Sequence, residues 1–324
     1  MLKILNIYRR IVLFAALQLL LAGSSYACEQ IVLISSNSHF GMVHRIEATL
    51  YAQPKPSPKL NHLIAENIKD SHFIEQYNRS CLIVTIGSEA LELALKTKTK
   101  TPILSVLSRK STVSTLLREH ERTLDSNTLP ITAIYLDQPL ERQLFLLQSL
   151  LPSSKENNIG VLLGPNSLTE QETLQNLARK HQVKLNTIYV NKFENPVAVL
   201  DGLLDETNIV LAIPDNRIFN TKTTRGMLLT AFHKRVPLIG YSKTYVNNGA
   251  LAAVYSTTKQ LADQTATLIL QILADEHKKL PKPMYPREFA VAVNYQVARS
   301  LGLHIENETM LKQTIDKMEK SSHG

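Results

Sequence analysis

The sequence predicts an α/β fold with two successive lobes, each a parallel sheet covered by helices. Three observations support this prediction. Short apolar runs alternate with amphipathic stretches, the alternation restarts near residue 130, and the chain has 324 residues, enough for about two domains at ~100–200 residues each. Two cysteines are too few for a disulfide-dense scaffold, and 44% hydrophobic residues are enough to build ordinary cores.

Residues 1–27 have the pattern of a secretory signal peptide. Three cations and no acid precede an apolar run, and small residues follow it. The run is about a dozen residues long, shorter than the roughly 20 that a membrane-spanning helix needs. We therefore expect cleavage before Cys28 and an exported mature chain, residues 28–324, that does not span a membrane. An uncleaved anchor and a lipid-modified Cys28 are the alternatives.

The charge and motif content excludes several classes of function. Without residues 1–27 the formal net charge falls from +8 to +5, and no Lys/Arg block is interleaved with aromatic residues, so nucleic acid is not an expected partner. The ten histidines lack zinc-site spacing, and neither a Gly-x-Ser-x-Gly elbow nor a glycine-rich phosphate loop occurs. We expect no enzyme, no metal site and no cofactor.

The two cysteines, Cys28 and Cys81, each precede a strand-like apolar run, at 31–34 and 82–86. Neighbouring strands of a parallel sheet start at the same edge, and export brings the chain into an oxidising compartment. We therefore predict a Cys28–Cys81 disulfide. Two unpaired thiols are the alternative.

The N-terminal lobe is predicted to span residues 28–130 and to be completed by part of the segment after about residue 245. Apolar residues at helical spacing predict a helix at 41–51. The proline-rich segment 54–58 cannot form a helix or a central strand and is expected to be a loop. The other predicted elements of this lobe are strands at 31–35, 81–86 and 103–107 and helices at 59–69 and 88–97.

The C-terminal lobe is predicted to span residues 131–245, and residues 246–324 to form a return crossover and C-terminal helices shared between the lobes. Pro139 begins a helix and Pro152 ends it. Strands are predicted at 131–136, 159–163, 185–190, 209–213, 236–241, 251–255 and 289–293. Helices are predicted at 140–151, 168–181, 197–204 and 221–234, then up to about 274, up to about 302 and over 307–320.

Candidate binding residues follow the predicted strands, because ligands of open α/β sheets bind at the carboxyl ends of the strands. Ser35, Ser36 and Asn37 follow the first strand, and their short polar side chains suit a ligand carboxylate or amine. Helix capping is the alternative role for these three residues. Tyr241 and Ser242 follow a later strand, where the tyrosine would supply a stacking face and a hydroxyl to a cleft between the lobes.

Three later segments, "ITAIYLDQPLERQLFLLQSLLPSSKENNIGVLLGPNS", "IVLAIPDNRIFN…AFHKRVPLIGYSKTYVNNGALAAVYS" and "PREFAVAVNYQVARSLGLHI", resemble the ABC-transporter substrate-binding family that includes tryptophan- and tyrosine-type binding proteins. The resemblance covers about residues 130–306, with weaker support from "CLIVTIGSEALELAL". Its closing signature falls on Asn294, Ala298, Leu301, Gly302 and Leu303.

This resemblance implies a type I periplasmic-binding-protein fold, in which three crossovers join two Rossmann-like lobes that close on a ligand about a hinge. It also implies a monomeric periplasmic protein that binds a small molecule, with an amino acid leading the list. The partner would be an ABC permease of the inner membrane.

The resemblance adds four residues to the candidate site. Gly87 and Ser88 resemble the Gly-Thr turn of the family, and Asp215 matches its acidic residue at the mouth of the second lobe, where it would pair with a ligand ammonium. Tyr135 at the crossover is a weaker candidate. Capping is the alternative role for Ser88, and capping or an ordinary loop position is the alternative for Asp215.

Two hypotheses about function follow. The first is a periplasmic solute-binding protein that delivers a small ligand to a permease. The second is a sensor or accessory module of an envelope complex built on the same fold. The second is motivated by the first lobe, where the proline-rich segment 54–58 departs from the family pattern. Ligand-induced closure would distinguish the two hypotheses.

Overall fold

The two predicted lobes are present, each with its own sheet of mostly parallel strands between helices. The structure is a computed structural model, and it describes residues 30–52, 58–68, 80–97, 99–124, 130–150, 158–275 and 280–323. The predicted signal peptide, Cys28 and residues 54–57 of the loop predicted at 54–58 lie outside these residues. Among the helices that the structure describes, none is long and apolar enough to cross a bilayer.

Among the described residues, the first part of the chain contributes five strands and three helices to the first lobe. They are β1 (Gln30–Ser35), α1 (Phe40–Tyr51), β2 (Lys59–Ile64), β3 (Leu82–Ile86), α2 (Ser88–Lys96), β4 (Ile103–Ser108), α3 (Lys110–Glu119) and β5 (Ile131–Tyr135). The strand order is β2-β1-β3-β4-β5, and every pair is parallel. The central strands are buried along nearly their whole length, as a sheet covered on both sides requires.

The second lobe contains a six-stranded sheet of order β11-β10-β9-β8-β6-β7. Its strands are β6 (Asn158–Leu163), β7 (Lys184–Tyr189), β8 (Ile209–Leu211), β9 (Leu238–Ile239), β10 (Ala252–Tyr255) and β11 (Ala290–Val293). The helices from this part of the chain are α4 (Leu140–Leu150), α5 (Gln171–Lys180), α6 (Pro196–Leu204), α7 (Thr224–His233), α8 (Lys243–Asn247), α9 (Thr258–Ala274), α10 (Tyr295–Leu301) and α11 (Glu308–His323). Only β11, among these strands, pairs antiparallel.

The chain passes between the lobes three times. It leaves β5 of the first sheet for α4, whose apolar face packs in the core of the second lobe. It then leaves β10 of the second sheet for α9, which packs against β1, β3 and β4 of the first. After α9, Met284 forms a parallel bridge with Ile134 of β5 in the first sheet, and the chain then returns to β11 of the second sheet. These three passages, at 136–139, 256–257 and 285–289, are the crossovers that the family resemblance implied.

The boundary between the lobes differs from the predicted division at residue 130. The predicted C-terminal lobe begins with the strand at 131, but this strand, β5, pairs with β4 in the first sheet. The first lobe therefore includes residues up to 135, and α4 is the first element of the second lobe. A sequence pattern places a strand but does not show which sheet edge is open to receive it.

The prediction of a helix at 59–69 is wrong, because this segment forms the strand β2 and a single 3₁₀ turn. Its apolar residues, Leu60, Leu63 and Ile68, are spaced compatibly with a helix. However, β1 has an open edge, and β2 pairs with it in parallel along six residues. Backbone pairing at this edge overrides the local spacing. Two helices were also not anticipated, α3 and the short α8.

Candidate functional site

The carboxylate of Asp137, in the first crossover, caps the N-terminus of helix α3. It accepts a hydrogen bond from the Lys110 backbone N–H at 2.6 Å, so it satisfies a donor that the helix leaves open. Burial raises the pKa of Asp137, and the bond from Lys110 opposes that rise. This contact fixes the first turn of α3, and with it Arg109, at the carboxyl edge of the first sheet.

Asp215 holds together two loops at the carboxyl edge of the second sheet. Its buried carboxylate accepts hydrogen bonds from the Asn166 N–H (2.9 Å), the Ser167 hydroxyl (2.9 Å) and the Arg217 N–H (2.8 Å). Gly164 permits this approach, because a Cβ there would lie 2.8 Å from a carboxylate oxygen. The bonds favour the structural role that the sequence left open for Asp215. Its pairing with a ligand ammonium stays a prediction.

Tyr241 and Ser242, predicted to line the cleft, follow β9 in the second lobe. The Tyr241 ring packs against Tyr245 (ring centroids 4.8 Å apart) and Phe219 (6.2 Å). Burial raises the pKa of Tyr241, so its phenol stays a neutral hydrogen-bond donor, although the charge of Arg109 limits the rise. The Ser242 hydroxyl accepts from the Tyr245 N–H at 3.2 Å and thereby caps α8.

Two contacts join the lobes across the opening between them. The Lys110 ammonium forms an ion pair with Glu170 of the second lobe at 2.9 Å. Burial opposes the charge of Lys110, but the bond to Glu170 outweighs it and raises the pKa of the lysine. The Arg109 guanidinium lies over the Tyr241 ring, 4.9 Å from its centroid. Both cations belong to the first lobe and both partners to the second.

A cavity of ≈ 230 Å³ lies between these contacts and the crossovers. It is bordered by Arg109 of the first lobe, by Tyr241 and Ser242 of the second, and by Gln138 and Ser256 of two crossovers. Both lobes and the crossovers therefore share one cavity, which is the arrangement that closure on a ligand requires.

Two smaller cavities adjoin the first. One of ≈ 150 Å³ lies between Arg109 and the loop that carries Asp215, and one of ≈ 30 Å³ lies beside the Lys110–Glu170 pair. Pro214 borders all three cavities. We call them together the interlobe cleft.

The crossovers are tied to one another by hydrogen bonds of buried and half-buried groups, which we call the crossover network. The Gln138 amide donates to the Ser256 hydroxyl at 2.9 Å, and that hydroxyl donates to the Glu288 carbonyl at 2.7 Å. The buried Arg142 donates to Gln138 Oε1 (2.9 Å) and to the Pro286 carbonyl (3.0 Å). Gln138 of the first crossover, Ser256 of the second, and Pro286 and Glu288 of the third thus enter a single chain of bonds.

The predicted site residues of the first lobe lie elsewhere on its carboxyl edge. Ser35, Ser36, Asn37, Gly87 and Ser88 follow the neighbouring strands β1 and β3, and none of the three cavities of the interlobe cleft is lined by them. The Ser35 hydroxyl bonds His62 Nε2 at 2.8 Å. The Ser36 hydroxyl bonds Ser38 at 2.6 Å, and the Asn37 N–H donates to Glu66 at 3.0 Å. Their role in ligand binding stays a prediction.

His39 fills the space above Gly87. A Cβ at Gly87 would lie 2.9 Å from the imidazole, and the glycine has φ +95°, a conformation that other residues rarely adopt. Ser88 is exposed at the start of α2. The ring of Tyr135 lies 5.4 Å from that of Tyr285 and is buried between the sheet and the third crossover. Tyr285, not Tyr135, borders the cleft.

Arg109, Gln138 and Gln143 border the cleft but were not among the site residues predicted from the sequence. Arg109 follows β4 directly, so the rule that selected Ser35 and Tyr241 would also have selected it. Gln143 lies on the buried face of α4, and its Oε1 accepts no hydrogen bond among the described residues although the side chain borders the cleft. No group of three or more acidic, histidine or cysteine side chains among the described residues is placed to hold a metal.

The pairing of Cys28 with Cys81 stays a prediction, because Cys28 lies outside the described residues. The Cys81 N–H donates to the Gln30 carbonyl at 3.0 Å, so Cys81 lies beside the start of β1. The strands that follow the two cysteines are parallel neighbours, as the prediction required.

A sequence profile described as "ABC transporter substrate binding protein" matches residues 51–317, which is more than half of the chain. The chain belongs to this family. No curated protein sequence matches it. The ABC transporter substrate-binding family is one of solute-binding proteins, so membership implies a small-molecule ligand and a transporter partner.

Solved structures show the same fold at low sequence identity. A ligand-free, open substrate binding protein with adhesive properties from Clostridium difficile has a TM-score of 0.65 at 16% identity, with 86% of this chain and 96% of that chain covered. The ABC domain in complex with L-Trp from Streptococcus pneumonia has a TM-score of 0.57 at 18% identity, covering 87% and 97%. A conserved domain protein from Vibrio cholerae has a TM-score of 0.56 at 19% identity, with 86% of this chain and 96% of that chain covered. The fold is therefore of the type I periplasmic-binding kind.

Proposed function

We propose that this substrate-binding protein captures a small ligand in the interlobe cleft, in the periplasm, and presents it to an ABC permease of the inner membrane. The ≈ 230 Å³ cavity carries the proposal, because both lobes and the crossovers border it. Rotation of one lobe against the other would open or close this cavity without unfolding either sheet. An amino acid leads the list of ligands, and the L-Trp complex of a protein with the same fold supports including tryptophan.

A thermal-shift screen tests the proposal. The protein is refolded to remove bound ligand and then mixed with amino acids, organic acids and sugars. A ligand at 100-fold over its Kd adds about 2.7 kcal/mol to the free energy of unfolding, which at roughly 2–4 °C per kcal/mol raises Tm by roughly 5 to 10 °C. Because the chain contains no tryptophan, the fluorescence of added L-tryptophan reports its own binding.

Two variants place the site. Tyr241→Leu removes a ring that borders the cleft and should abolish the ligand-dependent shift. Tyr51→Leu removes an exposed ring from α1 and should leave the shift unchanged. A folded protein whose Tm is the same with every compound would contradict solute capture. That result would favour the second hypothesis, a sensor or accessory module that binds another protein.

A further inference from the structure

Six charged side chains border the interlobe cleft, and their partners decide which of them is available to a ligand. They are Arg109, Lys110, Asp137, Glu170, Asp215 and Lys243. Lys110 and Glu170 neutralise each other. Asp215 is occupied by hydrogen bonds from its own lobe, and Asp137 accepts from the first turn of α3. Lys243 is exposed, so water solvates its ammonium.

Arg109 differs from the other five. It is partly buried, it borders both larger cavities, and it forms no ion pair with a described carboxylate. Its partner is the neutral ring of Tyr241, and a cation–π contact of this kind contributes about 0.5–2 kcal/mol. A guanidinium has five N–H donors in a fixed fork that matches a carboxylate. The Tyr241 ring lies against the face of that fork and the Tyr241 hydroxyl bonds one of its donors, which leaves further donors on its edge for a carboxylate.

The walls around Arg109 are suited to an apolar group beside the anion. Leu136, Val254 and Tyr255 border the same ≈ 230 Å³ cavity, beside Tyr241, whose ring is already in contact with Arg109 and Tyr245. Among the charged residues that border this cavity, Arg109 and Lys243 are cationic, and Asp137 is the one acid, attracted to Arg109 and bonded by the first turn of α3. The electrostatic balance of the cavity therefore favours an anionic ligand over a cationic one.

We propose that Arg109 selects the ligand of the cleft, pairing through its guanidinium with the carboxylate of a small molecule whose apolar part packs against Leu136, Val254 and Tyr255. This inference rests on the proposed function. It adds the chemical class of the ligand and assigns specificity to a residue that belongs to the first lobe. Because Arg109 already contacts Tyr241 of the second lobe, a carboxylate bound there would join the two lobes and stabilise their closed arrangement.

The test compares three indole probes that share one ring system. L-Tryptophan has a carboxylate and an ammonium, indole-3-propionate has only the carboxylate, and tryptamine has only the ammonium. We expect the two carboxylate probes to bind at least about 10-fold more tightly than tryptamine, since hydrogen bonds to charged groups contribute about 1.5–3 kcal/mol. Probe fluorescence gives each Kd directly, because the chain has no tryptophan.

Two substitutions of Arg109 separate its charge from its shape. Arg109→Gln should weaken the carboxylate probes roughly 10- to 100-fold and leave tryptamine unchanged. Arg109→Lys keeps the charge without the fork and should give a smaller loss. Arg118→Gln, an exposed arginine at the other end of α3, is the matched control and should bind as the unaltered protein does. Circular dichroism of each variant checks that it is folded.

The outcomes separate this inference from the proposed function. If tryptamine binds the unaltered protein as tightly as the two carboxylate probes do, or if a neutral sugar from the screen is the tightest ligand of both the unaltered protein and Arg109→Gln, the cleft captures a solute but Arg109 does not select it. Equal binding of the carboxylate probes to both proteins would also overturn the inference and leave Arg109 as a contact between the lobes only. If no compound of the screen or probe binds the folded protein, the proposed function fails and the inference fails with it.

Discussion

The crossover network and the interlobe cleft lie side by side but are built differently. In the network, the buried Arg142 and the side chains of Gln138 and Ser256 bind one another and the backbone of the third crossover. In the cleft, the contacts between the lobes include the Lys110–Glu170 ion pair of partly exposed groups and the Arg109–Tyr241 cation–π contact. Buried polar networks are costly to break, whereas exposed pairs are worth little. We therefore expect the crossovers to be rigid. The contacts that hold the lobes together are weak, so a bound ligand can shift the balance between open and closed arrangements.

The largest expected effect is at Arg142. It forms a two-bond ion pair with Glu319 of α11 at 2.7 and 3.1 Å, besides its bonds to the crossovers. Arg142→Leu would leave the Glu319 carboxylate without this partner and should lower the free energy of unfolding by about 3–5 kcal/mol. Urea denaturation measures the change, with the exposed Arg299→Leu as control. A loss below about 1 kcal/mol would show that the crossover network is not a strong constraint.

The second effect is at Asp215, which belongs to one wall of the cleft. Asp215→Ala removes the acceptor of Asn166, Ser167 and Arg217 and should cost about 2–4 kcal/mol, because buried donors lose their partner. Asp201→Ala, an exposed carboxylate of α6, should change the free energy of unfolding little. If Asp215→Ala kept its stability and lost only ligand binding, Asp215 would be a ligand residue rather than a structural one.

The third effect is a dependence on pH at Glu141, the neighbour of Arg142 in α4. Burial opposes its charge, but bonds from Lys180, Ser322 and His181 outweigh it and lower the pKa of Glu141 to about 2. The unfolded value is 4.5, so the stabilisation is complete above that pH and is lost as the pH falls toward 2.

Glu141→Gln checks this dependence. It should lower the free energy of unfolding by about 1–2 kcal/mol at pH 7, because the hydrogen bonds lose their charge assistance. The difference from the unaltered protein should shrink between pH 4.5 and pH 3 in urea titrations. A constant difference over this range would mean that the Glu141 carboxylate is not the titrating group.

The smallest effect on stability is expected at Lys110. Its bond to Glu170 joins a partly exposed ammonium to a mostly buried carboxylate (side chains 38% and 16% exposed), so Lys110→Met should cost about 1 kcal/mol. Lys110→Met should change the arrangement of the lobes more than it changes stability, because loss of the ion pair favours the open arrangement. The radius of gyration from small-angle X-ray scattering should therefore rise. Lys96→Met breaks an exposed pair within α2 and should leave that radius unchanged. Equal radii for both variants would show that the Lys110–Glu170 pair does not hold the lobes together.

Much of the fold was predictable because its signals are local. Buried strands such as β3 and β4 are short apolar runs, and α9 begins at a capping box of Thr257 and Gln260. The candidate site was predictable only in part. The rule that ligands bind at strand ends selected Tyr241 and Ser242, which border the cleft, and also Ser35 and Ser36, whose hydroxyls bond their neighbours. A strand end identifies the edge of a sheet but not the part of that edge that faces the other lobe.

The sequence by itself determined the α/β class, the order of most elements and the family, since each depends on residues close together in the chain. Only the tertiary structure decided that β2 is an edge strand, that Asp215 holds Asn166, and that Arg142 pairs with Glu319 across 177 residues. It also brought Arg109 over Tyr241. The physical reason is that a pair of distant side chains has no periodicity in the sequence. Their partnership exists only after the two sheets have placed their strand ends opposite each other.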